Sequence, residues 1–548
     1  MATNVQQLPR GANDSGTESD GRGIIQANRS SEIFFAVVGP VGAGASRARD
    51  SLDRACREAG YKVETVKVSS LIAQWGEANQ SPVPANLSPI DKVRHLQDLG
   101  DRMRATDPTR VARATLAKIA SLRAARIGKT FTQGDVVKPG PEKVAYIIDS
   151  IRHPAETSLF RRTYANAFAL VGVVCEEKER KNRILDKLFT GPQRRDTDLI
   201  AAAEAFISRD AEDENASHGQ HVRDAFFEAD FFVDNTLQDQ IDEKQFLDDP
   251  LARLVSIISH DKIERPTIEE TAMHHAHSAR VRSACLSRQV GSALVDRDGT
   301  VVATGTNEVP RAGGGVYGER PLLADEPDHR CAFRETAFCS SNVQQNRIIN
   351  ELIDSIDELK AVADRSALVS KLRGTAVGQL IEFSRAVHAE MDALLSAGRE
   401  GISTVGTRLF VTTFPCHYCA RHVVSAGVYE VQFIEPYPKS LALDLHQDAI
   451  AIEEQDWLPP EEIGMAEAKR RKTVADQTER AAPRTGRVLF RPFVGVAPRL
   501  YLRAFEKTRR LKDKNTGDMN IQPPEWGDEW SPFTAAYPEL EAVLTKSL

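Results

Sequence analysis

The sequence predicts an α/β protein, and three stretches predict it. Ile33-Phe-Phe-Ala-Val-Val38 is a short apolar run of the kind that forms a buried strand. It passes through a glycine-rich segment into an amphipathic helical pattern that extends through Ala55. Val144-Ala-Tyr-Ile-Ile-Asp149-Ser150 is a second buried-strand pattern, ending in an aspartate. Thr407 to Phe414 is rich in aromatic and β-branched residues, reads as a strand, and runs straight into Pro415-Cys416-His417-Tyr418-Cys419.

The first strand leads into Gly39-Pro-Val-Gly42-Ala-Gly44-Ala45-Ser46. A strand, a glycine-rich loop and a helix in this order can cradle a phosphate with backbone N–H groups. Gly39, Gly42, Gly44 and Ser46 match a Walker A loop, and Asp149 is a Walker-B-like acid, so a nucleotide is expected here. Ala45 stands where the lysine of that motif belongs. The lysine stabilises charge in phosphoryl transfer, so binding is expected and efficient kinase activity is not. Arg180, Lys181, Arg183, Arg194 and Arg195 could form a phosphate-facing lid, although such runs are more often a solvated helix face.

The densest chemistry lies further on. His388-Ala389-Glu390 and Pro415-Cys416-x-x-Cys419 supply one imidazole and two thiols. Catalytic zinc takes three protein ligands and leaves one position for water. Cys416 and Cys419 are three apart and share a helical face. Pro415 suits a helix start, where thiolate is favoured. His388 opens a second helical pattern with Met391, Leu394 and Leu395 as its apolar positions. The expectation is one catalytic Zn2+ held by His388, Cys416 and Cys419. Its bound water is acidified to a pKa of about 7, and Glu390 moves protons during attack on C4 of a cytosine. His422 is the nearest candidate for a fourth ligand of a purely structural site, and His417 points off the ligand face.

At these residues the chain resembles a known family. Ser283-Ala-Cys-Leu-Ser-Arg288-Gln-Val-Gly-Ser-Ala-Leu-Val, followed by Val302-Ala-Thr-Gly305-Thr-Asn307-Glu-Val-Pro310, looks like the opening hairpin of deoxycytidylate deaminases. With the zinc motif, the likeness covers about residues 265–440. It implies an α/β/α deaminase fold with a mixed sheet, Asn307 at the sugar and Arg288 at the phosphate. The family often carries Asn where this chain has Asp392. The first half resembles nucleoside monophosphate kinases and related P-loop folds. A degenerate P-loop domain fused ahead of such a deaminase is similar to the bacterial anti-phage dCTP deaminases, and Phe490 to Tyr501 looks like a segment recurring in that group. This likeness implies conversion of dCTP and dCMP to the uracil forms, a regulatory P-loop domain, a homo-oligomer and, in some members, an inhibitory small RNA. It also brings a second, structural zinc into view near His329, Cys331 and Cys339, with Cys285 upstream. Buried free thiols are the commoner reading of those residues.

Bulk properties fit and exclude. The 548 residues suggest about three domains or one large pair. A hydrophobic fraction of 41% is ordinary for a folded chain, and no apolar run is long enough for a membrane helix. Seven cysteines with a zinc motif and no secretion signal point to a reducing cytoplasm. A net charge of −7, from 71 basic and 78 acidic residues, argues against a long duplex-DNA surface. Residues 484–514 are locally basic with interleaved aromatics. That pattern binds RNA or single strands in some proteins and is a packed, solvated face in most. His274, His275 and His277 are expected at the surface. The expected organisation is a disordered tail over 1–30, a P-loop domain over 31–249, a deaminase domain over 250–458, and a charged linker with a C-terminal segment over 459–548. Two other readings stand beside a nucleotide deaminase: a deaminase of single-stranded nucleic acid, and an RNA- or nucleotide-sensing regulator.

Overall fold

The computed structural model describes residues 29–188, 207, 221–236, 243–318, 327–437, 440–452, 457, 487–507, 511–520, 533–534 and 537–546. The expected tail before residue 29, Arg194 and Arg195, the charged linker, and the Trp- and Pro-rich stretch from Pro523 to Pro532 lie outside the described residues.

The chain forms two six-stranded sheets. A short strand β1 (Arg29–Ser30) stands outside them in a two-stranded sheet, and the first six-stranded sheet contains β2 (Glu32–Val38), β3 (Lys62–Lys67), β4 (Val144–Ile151), β5 (Phe168–Val174) and β6 (Phe231–Asp234). The six-stranded sheet runs β13-β6-β5-β2-β4-β3, with β13 (Gly495–Val496) antiparallel at its edge and the other five parallel. Central β2 and β5 are buried at every position, as expected of strands covered on both faces, which read as continuous apolar runs. The helix α1 (Ala45–Glu58) follows β2 directly, and α2 (Arg110–Arg126) lies further along the chain.

The second sheet contains β7 (Gly291–Val295), β8 (Val301–Thr306), β9 (Arg408–Thr413), β10 (Glu430–Glu435), β11 (Ile450–Ala451) and β12 (Val488–Pro492), in the order β11-β12-β10-β9-β7-β8. β7 is antiparallel to both its neighbours and the remaining pairs are parallel. The predicted hairpin and mixed sheet are therefore present.

Three stretches near the expected limits take part in folded elements. Residues 29–30 are a strand, not tail: β1 pairs with β14 (Phe533–Thr534). Asp249 is the first residue of helix α4 (Asp249–Ser259), which packs on α1 and buries Leu251, Leu254 and Val255. The C-terminal segment is not an appendage. β12 enters the second sheet, β13 closes the first, and the last described helix, Tyr537–Thr545, packs against α2. One apolar core consequently runs from Phe34 and Phe35 through Leu254 and Met273 to Phe410 and Phe493.

A buried charge cluster ties the chain's two ends together. Arg123 on α2 is 1% exposed and pairs with Glu32 of β2 at 2.9 Å and with Glu541 of the last helix at 2.6 Å. Tyr537 donates to Glu32 and Tyr164 donates to Glu541. Buried charges persist only when paired and hydrogen-bonded in this way.

The basic stretch from 484 onward is packed through its strand β12 and the residues after it, whereas Arg499, Lys507, Lys512 and Lys514 are exposed. Phe490 and Phe493 are buried, Arg491 bonds Glu430 at 2.8 Å, and Arg503 reaches the Phe168 carbonyl. The histidines of α5 (Ile268–Arg280) also depart from expectation. His275 is exposed, but His274 stacks on Tyr501 at 4.2 Å and both it and His277 are half-buried. Burial, with Arg280 close by, lowers the His277 pKa to about 4. Among the described residues no helix is long and apolar enough to cross a membrane.

Candidate metal centre and catalytic pocket

Two helix starts converge at the C-terminal end of β9. His388 is the N-cap of α6 (Ala389–Arg399), and Cys416 is the N-cap of α7 (His417–Ser425), with Cys419 on its first turn. α6 is held flush against the second sheet. A Cβ on Gly305 of β8 would lie 2.1 Å from the Ala389 carbonyl oxygen and 2.5 Å from the Ala393 nitrogen, so only glycine permits this approach. Ser292 of β7 donates to the Ala389 carbonyl at 2.7 Å, and Asp392 accepts the Thr306 N–H at 3.0 Å. Glu308 and Val387 exchange backbone hydrogen bonds immediately before His388. The buried side of α6 is Ala389, Ala393, Leu394 and Ala397, whereas Leu395, expected in the apolar set, is exposed.

His388 Nδ1 lies 3.3 Å from Cys416 Sγ and 3.4 Å from Cys419 Sγ, and the three atoms fall within 4.8 Å of one another. Ligands around one tetrahedral zinc at about 2.0–2.3 Å stand roughly 3.5–3.8 Å apart, so the donor set fits that ion with one position to spare. The electrostatics fit too. The neighbouring Cys419 thiol and then His388 draw the Cys416 pKa down, the same thiol pair and burial push Cys419 up, and the bond to Cys416 raises His388 to about 9. The cluster already favours thiolate beside a positive centre. Glu390 is 4% exposed, and burial, opposed by His388, raises its pKa to about 7.

A cavity of about 420 Å3 opens onto this cluster. His388, Glu390 and Cys416 lie on its wall, with Asn307, Arg288 and Tyr437 further along. Asn307 is 8% exposed, and both ends of its amide are engaged by the chain: Oδ1 accepts the Val290 N–H at 2.6 Å and Nδ2 donates to the Arg288 carbonyl at 2.7 Å. Its visible role is to shape the 288–290 turn that borders the cavity. Arg288 is more than half exposed, 4.0 Å from Glu435 and over the Tyr437 ring.

The remaining expectations sort as follows. His422 is exposed and outside the ligand cluster, and His417 is partly buried beside Tyr418. Cys285, Cys331 and Cys339 are free thiols on the wall of the same cavity, but among the described residues His388, Cys416 and Cys419 form the single group of three ligands close enough for a metal. Among the described residues the Cys285, Cys331 and Cys339 thiols are not gathered into a group of three possible ligands.

The Gly39–Ser46 loop joins β2 to α1 as expected. Gly42 and Gly44 have φ of 83° and 84°. Ser46 is exposed. The loop's other groups meet the chain itself. Asn235 Nδ2 donates to the Ala43 carbonyl at 2.8 Å, and a Cβ on Gly42 would meet the Arg180 carbonyl oxygen of α3 (Glu177–Leu188) at 2.7 Å. Asp149 is paired with Arg49 of α1 at 2.8 Å. Arg183 donates to the Asn235 and Thr236 carbonyls.

Sequence reasoning missed Ser292, Glu308 and the packing role of Gly305. Glycine inside a strand pattern was the one available signal, because it marks a close approach of another backbone.

Comparison with known proteins converges on the same residues. Residues 266–435 match the cytidine and deoxycytidylate deaminase zinc-binding region. The deoxycytidylate deaminase of Enterobacteria phage T4 is 25% identical over 173 residues, spanning 31% of this chain and 79% of the phage protein. ComE operon protein 2 of Bacillus subtilis is 37% identical over 54 residues, 10% of this chain and 29% of its own. Among solved structures, the dCMP deaminase of cyanophage S-TIM5, in complex with dCMP and dUMP, aligns at 21% identity over 34% of this chain and 93% of its own, with a TM-score of 0.20. Residues 266–435 therefore form a zinc-binding region of the cytidine and deoxycytidylate deaminase type, and the chain is a hydrolase of the class that acts on carbon–nitrogen bonds.

Proposed function

We propose that the protein deaminates deoxycytidine nucleotides, converting dCTP and dCMP to the uracil forms with release of ammonia. The observation that carries this reading is the juxtaposition of a three-ligand His388–Cys416–Cys419 cluster with buried Glu390 in one cavity. Zinc held by these residues would supply a water acidic enough to ionise near neutral pH. Glu390 takes the proton of the attacking water and delivers it to N3 of the cytosine ring. A second proton transfer to the departing amine releases ammonia and leaves a carbonyl at C4. Water adds and ammonia leaves, so no redox partner is needed. Burial keeps Glu390 dry except at the reacting face, which strengthens its interactions. Asn307 fixes the turn that brings Arg288 to the cavity rim, where Arg288 meets the first phosphate.

The first domain is read as a degenerate P-loop unit that regulates the second. Its five parallel strands lie in the order β6-β5-β2-β4-β3, with the glycine-rich loop after the central strand and Asp149 near the end of the adjacent one. Gly39, Gly42, Gly44 and Ser46 are the proposed phosphate cradle, with nucleotide as its ligand. By resemblance to anti-phage dCTP deaminases, the biological role is depletion of dCTP in the cytoplasm during infection, with self-association and an inhibitory small RNA as further elements. Size measurement and RNA co-purification test the last two.

The central experiment offers purified protein dCTP, dCMP, CTP and a cytosine-containing oligonucleotide, with and without a chelator. Loss of the free deoxycytidine nucleotides alone, abolished by the chelator, is expected. Turnover of the oligonucleotide alone would replace this reading with a polynucleotide deaminase.

A further inference from the structure

Glu308 is a buried acid that the proposed chemistry leaves unused. It is 1% exposed and stands on the wall of the catalytic cavity, directly after Asn307. Its two carboxylate oxygens are divided between two backbone donors. Oε2 accepts the Ala284 N–H at 2.7 Å, and Oε1 accepts the Val309 N–H at 2.8 Å. Among the described residues its one ion pair is with Arg330, at a long 4.0 Å, and Arg330 is itself gripped by Asp328 at 2.6 Å. A buried carboxylate so weakly neutralised is costly, and for stability alone an apolar side chain of similar volume would serve as well.

What Glu308 joins accounts for it. The stretch from Ser283 to Val290 carries Arg288 and contains neither helix nor strand. It hangs from two consecutive residues. At its far end, Asn307 accepts the Val290 N–H and donates to the Arg288 carbonyl. At its near end, the Glu308 carboxylate holds the Ala284 N–H, beside a bond of 2.7 Å from Ser283 Oγ to the Asn307 carbonyl. Through its backbone Glu308 also exchanges hydrogen bonds with Val387, at 3.1 and 2.9 Å, one residue before His388. A single residue therefore ties the Arg288 stretch to the backbone that delivers His388.

The tie demands a carboxylate. Both oxygens receive N–H donors, and an ionised carboxylate offers an acceptor at each position. Glutamine would aim its NH2 at one of the two N–H groups, donor against donor, and that end of the tie would open.

We infer that Glu308 is a positioning residue: it sets the reach from Glu390, where the base reacts, to Arg288, where the phosphate is met. The inference rests on the deaminase reading above and deepens it. The phosphate contact is made alike before and during reaction, so a displaced Arg288 stretch weakens binding without slowing the chemical step. His388 and Glu390 are placed by the contacts of α6 with Gly305 and Ser292 and by the backbone bonds to Val387. A change of side chain at position 308 leaves those in place.

The test measures kcat and KM for dCMP in the full-length parent, Glu308→Gln, Glu308→Asp, Arg288→Ala and the double variant Arg288→Ala with Glu308→Gln. Zinc content and the denaturant midpoint are read on each preparation. Glu308→Gln is expected to raise KM roughly tenfold, with kcat within about twofold of the parent and zinc unchanged. Glu308→Asp keeps both acceptors on a shorter stem and should recover part of the loss. Once Arg288 is alanine, Glu308→Gln should add nothing further to KM, because the residue acts through the stretch that carries Arg288. An unaltered KM, a loss carried by kcat, or the same factor with and without Arg288 would overturn the positioning role and leave the deaminase intact. If Glu308→Gln yields no folded protein, Glu308→Asp in the two backgrounds carries the same comparison. A parent protein that turns over no deoxycytidine nucleotide would overturn the deaminase reading itself.

Discussion

The molecule contains two strand-to-helix turns that look equally chemical in the sequence, and the rest of the chain surrounds them differently. At the end of β9, Cys416 and Cys419 stay unencumbered by other elements and meet His388 at 3.3 and 3.4 Å beside a cavity. At the end of β2, the glycine-rich turn is packed over. Asn235 binds the Ala43 carbonyl, α3 backs onto Gly42, and Arg49 occupies Asp149. The first turn leaves its ligand atoms for an ion and a substrate. The second has its Ala43 carbonyl and Asp149 engaged from within the chain, and the lysine that would make it a catalyst is Ala45. A motif's chemistry therefore depends on whether the surrounding fold leaves its groups available.

The largest contrast should come from Glu390→Gln. Deamination is expected to fall by about 10² to 10⁴-fold, the usual worth of a general acid–base, while atomic absorption finds the zinc still bound. Zinc-loaded variant retaining most of its turnover would remove Glu390 from the chemistry.

Gly305→Ala should follow. Its Cβ would press on the Ala389 carbonyl at 2.1 Å, displacing α6 with His388 and Glu390. Overpacking of this kind costs about 1–3 kcal/mol, and a shift near 1 Å can cost roughly 100-fold in rate. Denaturant titration and kcat/KM on one preparation read both; a variant as active as the parent would show that α6 tolerates movement.

Gly44→Ala is the matching change at the other turn. Its φ is 84° and the new Cβ would meet Asn235 Nδ2 at 2.0 Å, so about 1–3 kcal/mol of stability should be lost. Here kcat/KM of the folded fraction should move much less than in Gly305→Ala. An equal loss of activity would mean that the two turns are coupled more tightly than their separation implies.

The smallest effect is expected from Ala45→Lys, which restores the missing residue. Phosphoryl transfer from ATP to dCMP should remain undetectable, because Asp149 stays paired with Arg49 and is not free for a metal. Radiolabelled phosphate appearing on the nucleotide would contradict the picture of an occupied turn.

Local features were legible in the sequence, and distant ones were not. His388 with Glu390, and Cys416 with Cys419, sit within short spacings set by helix and turn geometry, and the ligand chemistry of zinc joins the two pairs across 28 residues. β2, β4 and β9 were visible as apolar or β-branched runs for the same reason. The supports of the site were hidden because they join distant positions. Ser292 reaches Ala389 across 97 residues, and Asp392 reaches Thr306 across 86. The threading of the C-terminal segment was equally hidden: β13 and β14 are two residues each, too short to carry a periodic signal. Leu395 misled because it fits the helical spacing but falls on the outer side of α6. The buried positions beside it are largely alanines, which a hydrophobic pattern weighs lightly.

The cluster around Arg123 has a consequence for how the chain is made. Glu541 lies 418 residues after Arg123, and translation at about 5–20 residues per second separates their emergence by roughly 20–80 s. Through that interval Arg123 Nη1 and the Tyr164 hydroxyl have no Glu541 to bond, and the face of α2 that the final helix covers is bare. Until Glu541 is in place, the buried Arg123 guanidinium has Glu32 but not its second carboxylate, and a buried charge lacking a partner is costly.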